Sequence, residues 1–79
     1  MSNLDKYIDI FAETFEIDRE KVPHLTYQCI DAWDSVGHMG LIANLEDAFD
    51  IMMDTEDIID FSSFEKGKEI LSTKYGIEF

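Results

Sequence analysis

The sequence predicts a small all-α protein: a bundle of four helices, three long and a short third one, with a long loop between the first two. Apolar residues recur at helical intervals in several segments, capping residues precede these segments, and no segment alternates convincingly as a strand does. The chain of 79 residues has room for a single domain, residues 1–79, with one small core. Hydrophobic residues make up 46% of it, too many for a disordered acidic tail.

The first helix is predicted to run from about residue 3 to residue 16. Its apolar residues recur at intervals of four, three and four, so they share one face of a helix, and charged residues lie between them. These apolar residues are Leu4, Ile8, Phe11 and Phe15. Ser2, with Asp5 three residues later, forms a variant of the capping box that pairs with free backbone N–H groups of the first turn.

Residues 17–34 keep no helical period, and Pro23 would interrupt a helix running through them, so they are predicted as a long loop. A connection of this length in a compact domain either has a function or is packed by its own side chains. We expect Trp33 to anchor the loop. Cys29 is expected to be a small buried apolar side chain.

Three further helices are predicted at about residues 35–50, 55–60 and 63–75. They follow residue types that favour a helix N-cap, namely Asp34, Asp54 and Ser62. Ser62 also forms a capping box with Glu65, because the two are three residues apart. Gly76 suits the left-handed conformation that closes a helix.

The charge of the chain is strongly negative, with 18 Asp and Glu against 6 Lys and Arg and a net charge of −12. Nucleic acids and anionic membranes are bound by Lys and Arg, so this balance argues against both as partners. Nine acidic residues and no Lys or Arg lie between Val22 and Phe64. Such a field of one sign speeds encounter with a basic surface, so a protein partner with a basic docking patch is predicted.

The single cysteine cannot form an intrachain disulfide, which fits a reducing compartment. The first residues lack the basic and apolar regions of a signal peptide, and no apolar run approaches the roughly 20 residues that cross a bilayer. We therefore expect a cytoplasmic monomer that does not bind a membrane.

The second predicted helix has two faces. Its core face consists of Leu41, Ile42, Leu45, Ala48 and Phe49. The opposite face carries small or flexible apolar side chains ringed by acids, and its members include Val36, Met39, Ala43, Glu46 and Asp47. We expect this face to be a docking surface for a partner. A modest exposed apolar strip is common on monomers. The alternative is therefore that Val36 and Met39 are incidental surface residues.

Ser35 follows Asp34 at the start of this helix, and such a pair is more often a helix start than a functional site. A hydroxyl at a helix N-terminus nevertheless lies where free N–H groups and the helix dipole favour an attached phosphate. The position is therefore suited to modification by a phosphate group.

The run Asp34-Ser35-Val36, followed by Met39, Ile42, Leu45-Glu46, Phe49 and Ile51, resembles the signature of the acyl carrier protein family. In that family an Asp-Ser-Leu type triplet begins the second helix of a four-helix bundle. Helix order, acidity, length and the long first loop agree with it, so the resemblance covers essentially the whole chain. The segment Gly37-His38-Met39-Gly40 departs from the usual family pattern, which favours a specialised stand-alone carrier.

The resemblance implies that Ser35 is the attachment site of 4′-phosphopantetheine, transferred from coenzyme A by a phosphopantetheinyl transferase. Asp34 would contribute to recognition or metal binding during this transfer. The modified protein would catalyse nothing itself. It would carry acyl thioesters between enzymes of fatty acid, polyketide or other acyl-transfer pathways, which would dock on the surface formed by Val36, Met39, Ala43, Glu46 and Asp47.

Five residues are candidates for a cleft that holds the acyl chain, although residues of this type form ordinary core by default: Ile51, Met53, Ile58, Ile59 and Phe61. No catalytic residue is predicted. His24, Cys29 and His38 do not form a metal-ligand motif, so no metal site is predicted either.

Two alternatives to an acyl carrier are open. The first is an aminoacyl or peptidyl carrier, since the loading enzyme selects most of the cargo. The second is an unmodified acidic helical adaptor in which Ser35 only caps a helix or is phosphorylated.

Overall fold

The computed structural model describes residues 2–79, which form four α-helices and one 3₁₀ helix. The α-helices are α1 (Asn3–Phe15), α2 (Ser35–Phe49), α3 (Thr55–Asp60) and α4 (Phe64–Lys74), and the 3₁₀ helix spans Arg19–His24. The predicted all-α class is confirmed as a small helical bundle. Within the described part of the chain, β-type pairing is limited to one isolated bridge between Thr26 and Ser63.

The core is built around aromatic rings, with Phe11 of α1 at its centre. The ring of Phe11 lies 5.6 Å from that of Trp33, 6.1 Å from that of Phe61 and 5.5 Å from that of Phe64, measured between centroids. Phe11 and Trp33 are fully buried. Trp33 therefore anchors the end of the long connection in the core, as predicted, and α2 begins two residues later, at Ser35.

The connection between α1 and α2 is more regular than predicted, because residues 19–24 form the 3₁₀ helix. Pro23 lies inside it without breaking it. The helix closes through the Lys21 N–H to the Asp18 carbonyl at 3.0 Å and the Leu25 N–H to the Val22 carbonyl at 3.1 Å, neither of which needs an N–H on the proline. The prediction of a loop over 17–34 is therefore wrong for residues 19–24. Six residues of 3₁₀ helix are too few to produce a recognisable apolar period in the sequence.

Two local predictions are wrong. Cys29 is exposed, because residues 26–29 form a tight turn in which the Thr26 N–H bonds the Cys29 Sγ at 3.3 Å. The cap of α4 is Ser63, whose hydroxyl accepts the Lys66 N–H at 3.0 Å, and not Ser62. Gly76 does adopt the predicted left-handed conformation, with φ of 68°.

A buried carboxylate ties α3 to the end of α4. Asp57 is 2% exposed, and its two oxygens accept hydrogen bonds from the Lys74 Nζ and the Tyr75 hydroxyl, both at 2.6 Å. The Tyr75 hydroxyl in turn accepts the Asp54 N–H at 2.9 Å. Hydrogen bonds from Lys74 and then from Tyr75 hold the pKa of the Asp57 carboxyl below its ordinary value.

Across residues 2–79 the longest helices are too short or too polar to cross a bilayer.

The lowered pKa of Asp57 predicts a specific pH dependence of stability. A carboxyl whose pKa is lower in the folded than in the unfolded chain stabilises the fold above its unfolded pKa, about 3.9, and loses this contribution as pH falls through the folded pKa. Asp57→Asn should therefore lower the free energy of unfolding at pH 7, and the difference from wild type should shrink below about pH 4. Urea denaturation from pH 7 to pH 2 measures this.

Glu69→Gln, on the exposed surface of α4, is the matched control because it removes one negative charge outside this network. A difference between Asp57→Asn and wild type that stays constant down to the lowest pH would contradict the proposed network.

Candidate functional site

Ser35 is the first residue of α2 and is exposed. The Asp34 carboxylate caps the helix by accepting the Gly37 N–H at 2.8 Å, and the Asp34 carbonyl accepts the His38 N–H at 2.8 Å. Asp34 is thus the N-cap, as predicted, and one of its carboxylate oxygens is already engaged. This capped start places the Ser35 hydroxyl on the surface. A group can be attached to the hydroxyl only if it is exposed in this way.

The hydroxyl of Ser35 has one side-chain neighbour within hydrogen-bond distance in the described structure. This is the hydroxyl of Tyr27, 3.3 Å from the Ser35 Oγ, and either group can be the donor. Tyr27 lies in the turn before Trp33 and is partly exposed. Sequence reasoning did not select Tyr27, because nothing in its local pattern indicates that the chain folds it back onto a residue eight positions later.

Gly37 gives the chain the space to enter α2 in this way. A Cβ atom built on Gly37 would lie 1.9 Å from the Ala32 carbonyl oxygen, so a larger residue forces the backbone before Trp33 to move. Around Gly40, by contrast, a Cβ atom would meet nothing within 4 Å. Of the two glycines in this segment, only Gly37 is required by the packing of the chain against itself.

His38 joins the start of α2 to α3. The Trp33 indole N–H can only donate, so the His38 Nδ1, 2.9 Å away, is an acceptor and carries no proton. The proton is therefore on Nε2, which donates to the Ile58 carbonyl at 2.7 Å. Both ring nitrogens are engaged in this bridge, so His38 is not free to act as a base toward Ser35.

A cleft of about 360 Å³ lies beside Ser35, between α2, α3 and the turn that carries Tyr27. Three of the five predicted cleft residues line it: Ile58, Ile59 and Phe61. Met39 of the predicted docking surface lines it as well, together with Tyr27 and His38. The walls are mainly apolar, and Ile59 is 73% exposed at the rim.

The structure does not bring the other two predicted cleft residues to this cleft. Met53 is buried in the core and Ile51 packs against it. The Met53 N–H donates to the Glu46 carboxylate at 2.9 Å, which holds the chain after α2 against the end of the helix and away from the Ser35 end.

The predicted docking residues lie along one side of α2 and form what we call the α2 strip: Val36, Met39, Ala43, Glu46 and Asp47. Val36 is 81% exposed, Met39 is 56% exposed, and Ala43 and Asp47 are exposed. Glu46 differs from the rest because it is half-buried and its carboxylate is engaged with the Met53 N–H. The strip therefore presents apolar side chains near Ser35 and negative charge farther along the helix.

The ion pairs of the described residues lie outside the α2 strip. Arg19 bonds Asp5 at 3.3 Å and also contacts Asp9, while Lys74 pairs with Asp57. Asp47 thus faces solvent without a basic partner among these pairs, so the strip keeps its negative charge beyond the apolar side chains.

Comparison of the chain with protein-family models, with curated proteins and with solved structures finds no match in any of the three.

Opposite effects are expected for alanine at the two glycines of α2. Gly37→Ala should lower the free energy of unfolding by about 1–3 kcal/mol, because the added methyl group displaces the Ala32 carbonyl. Gly40→Ala should raise it by roughly 0.5–1 kcal/mol, since alanine has the higher helix propensity and space is available. Urea denaturation of the two variants measures both values, and equal shifts in one direction would refute the close approach at Gly37.

Proposed function

We propose that the protein is a cytoplasmic acyl carrier that holds its cargo as a thioester on a 4′-phosphopantetheine arm attached to Ser35, in a bundle arranged as in the acyl carrier protein family. One observation carries the proposal. The exposed hydroxyl of the first residue of α2 lies directly beside an apolar cleft, at the end of an exposed strip with acidic residues. The resemblance of the residues around Ser35 to the family signature supports the same assignment.

The start of α2 suits a phosphodiester. The helix has 15 residues, long enough for its aligned peptide dipoles to favour negative charge near the first turn. Asp34 takes only the Gly37 N–H of that turn, so further backbone donors stay available to phosphate oxygens.

The modification requires an external enzyme. The Ser35 Oγ would attack the pyrophosphate of coenzyme A and form an O–P bond, while the P–O bond to the phosphorylated adenosine breaks and that fragment leaves. The serine proton passes to a base. Tyr27, the described side chain within hydrogen-bond distance of the Ser35 Oγ, presents a phenol, both nitrogens of His38 are engaged, and the Asp34 carboxylate is turned toward the Gly37 N–H. A phosphopantetheinyl transferase would therefore provide the base, and the carrier would be its substrate.

The cleft favours an acyl cargo over an aminoacyl cargo. Its walls include Met39, Ile58 and Ile59, which offer apolar contact to a hydrocarbon group, and the described lining contains no carboxylate that would pair with an amino group. The part of the cargo nearest the thioester can then be shielded from water beside Ser35.

The α2 strip would provide the docking surface for the transferase and for the acyl-loading and acyl-transfer enzymes. Met39 and Val36 supply exposed apolar contact, and Asp47 supplies charge that attracts a basic patch. Glu46 contributes charge from a position fixed by its bond to the Met53 N–H.

The carrier proposal predicts one covalent addition at one residue. Incubation with coenzyme A and a broad-specificity phosphopantetheinyl transferase should add a single phosphopantetheine group, detected by intact-protein mass spectrometry. Ser35→Ala should abolish the addition because the accepting hydroxyl is lost. Ser72→Ala, which removes an exposed hydroxyl from α4, should leave it unchanged. An unmodified wild-type chain would favour the acidic adaptor instead.

Docking through the α2 strip predicts a separation of kinetic effects. Asp47→Lys should raise the transferase KM for this protein several-fold and change kcat little, because it weakens encounter and leaves Ser35 intact. The difference from wild type should diminish as salt shortens the Debye length from about 10 Å at 0.1 M to about 3 Å at 1 M.

Glu69→Lys makes the same charge change on α4 and serves as the control. Asp47 is preferred to Glu46 for this test, since replacing Glu46 also removes the bond to the Met53 N–H. Equal KM values for the Asp47→Lys and Glu69→Lys variants would argue against docking at the strip.

A further inference from the structure

We propose that Tyr27 is a positioning residue for the arm: its hydroxyl donates a hydrogen bond to the phosphodiester on Ser35 and directs the arm into the adjacent cleft. This inference rests on the proposed modification of Ser35 and adds to it the group that determines where the arm lies.

The hydroxyls of Tyr27 and Ser35 lie within hydrogen-bond distance of each other. The Tyr27 hydroxyl is 3.3 Å from the Ser35 Oγ, and in the unmodified protein either one can donate. Esterification removes the proton from the Ser35 Oγ, so every phosphodiester oxygen is then an acceptor. The Tyr27 hydroxyl becomes the donor, and a hydrogen bond to a charged oxygen is roughly twice as strong as one between neutral groups.

Tyr27 is held in place in the unmodified protein. Its backbone N–H donates to the Ser62 carbonyl at 2.7 Å. Its ring meets the ring of His38 edge-on at 5.3 Å and that of Trp33 edge-on at 6.2 Å. A side chain that packs against two rings on an anchored backbone loses little conformational freedom when it binds, so its hydroxyl acts as a preorganised donor.

The segment around Ser35 lacks basic side chains. Residues 22–64 contain no Lys or Arg, so this whole segment offers no cationic side chain to a phosphate on Ser35. The Asp34 carboxylate next to Ser35 is turned toward the Gly37 N–H, and it repels phosphate. The neutral hydroxyl of Tyr27, already 3.3 Å from the Ser35 Oγ, is therefore the side-chain donor placed for a phosphate there.

The position of the cleft sets the direction of the arm. Tyr27 and Ser35 both line the cleft, with Met39 and Ile59 among the other walls. A phosphodiester held between the two hydroxyl positions lies at the mouth of the cleft. The arm leaves it toward these apolar walls, whereas without the bond the arm rotates about the Ser35 side chain into solvent.

Tyr27→Phe tests this role because it removes one oxygen and keeps the ring. A phosphopantetheinyl transferase loads wild type, Tyr27→Phe and the control Ser72→Ala from coenzyme A, or from coenzyme A that carries an environment-sensitive fluorophore on its thiol. Mass spectrometry verifies loading, and thermal melting verifies folding. Phosphorus NMR reports on the environment of the phosphodiester. Acrylamide quenching of the fluorophore, with time-resolved detection, gives the fraction of arms protected in the cleft.

For Tyr27→Phe we expect full loading, a shifted phosphorus resonance and a ratio of protected to exposed arms lower by about tenfold, the effect of losing one hydrogen bond to a charged acceptor. Ser72→Ala should match wild type. Identical phosphorus spectra and identical protected fractions in loaded wild type and Tyr27→Phe would overturn the role of Tyr27 alone. A wild-type chain that gains no arm would overturn the carrier function itself, together with this inference.

Discussion

The burial of Trp33 is the interaction on which the rest of the site depends. The indole ring is fully buried against Phe11 and Phe15 of α1, and its N–H is paired with His38 on the first turn of α2. The chain has only one residue, Asp34, between this anchor and the start of the helix. The buried Trp33 thus fixes where α2 starts, and Ser35 is exposed at that start. The start of the helix cannot shift without breaking the hydrogen bond from the Trp33 indole N–H to His38.

Helix α2 must bury apolar side chains in the core and also keep apolar side chains exposed beside Ser35. A chain of this size needs its apolar side chains in the core, yet α2 keeps Val36 and Met39 largely exposed. The other face of α2 compensates, because Leu41, Ile42 and Leu45 are buried almost completely. The strip also carries acidic residues in place of basic ones, so its apolar contacts are combined with a repulsion that disfavours association between copies of the chain.

The sequence was sufficient to predict the helices, because apolar period and capping residues are local properties. The faces of α2 and the N-cap at Asp34 followed from these properties. Features that depend on contacts between distant residues were missed. The contact of Tyr27 with Ser35, the bridge from His38 to the Ile58 carbonyl and the choice between cleft and core for Met53 are all set by the path of the chain in space. The 3₁₀ helix was missed for the different reason that it is too short to show a period.

Helix α3 has only six residues, too few to persist in water without support from the rest of the fold. Side chains from other elements support it: His38 bonds the Ile58 carbonyl, and Lys74 and Tyr75 bond the Asp57 carboxylate. Ile58 and Ile59 of α3 form a wall of the cleft, so this wall belongs to a short helix whose position depends on these contacts. Because His38 lies on α2 and its ring bonds the Ile58 carbonyl of α3, this one hydrogen bond helps to set the spacing of the two helices that border the cleft.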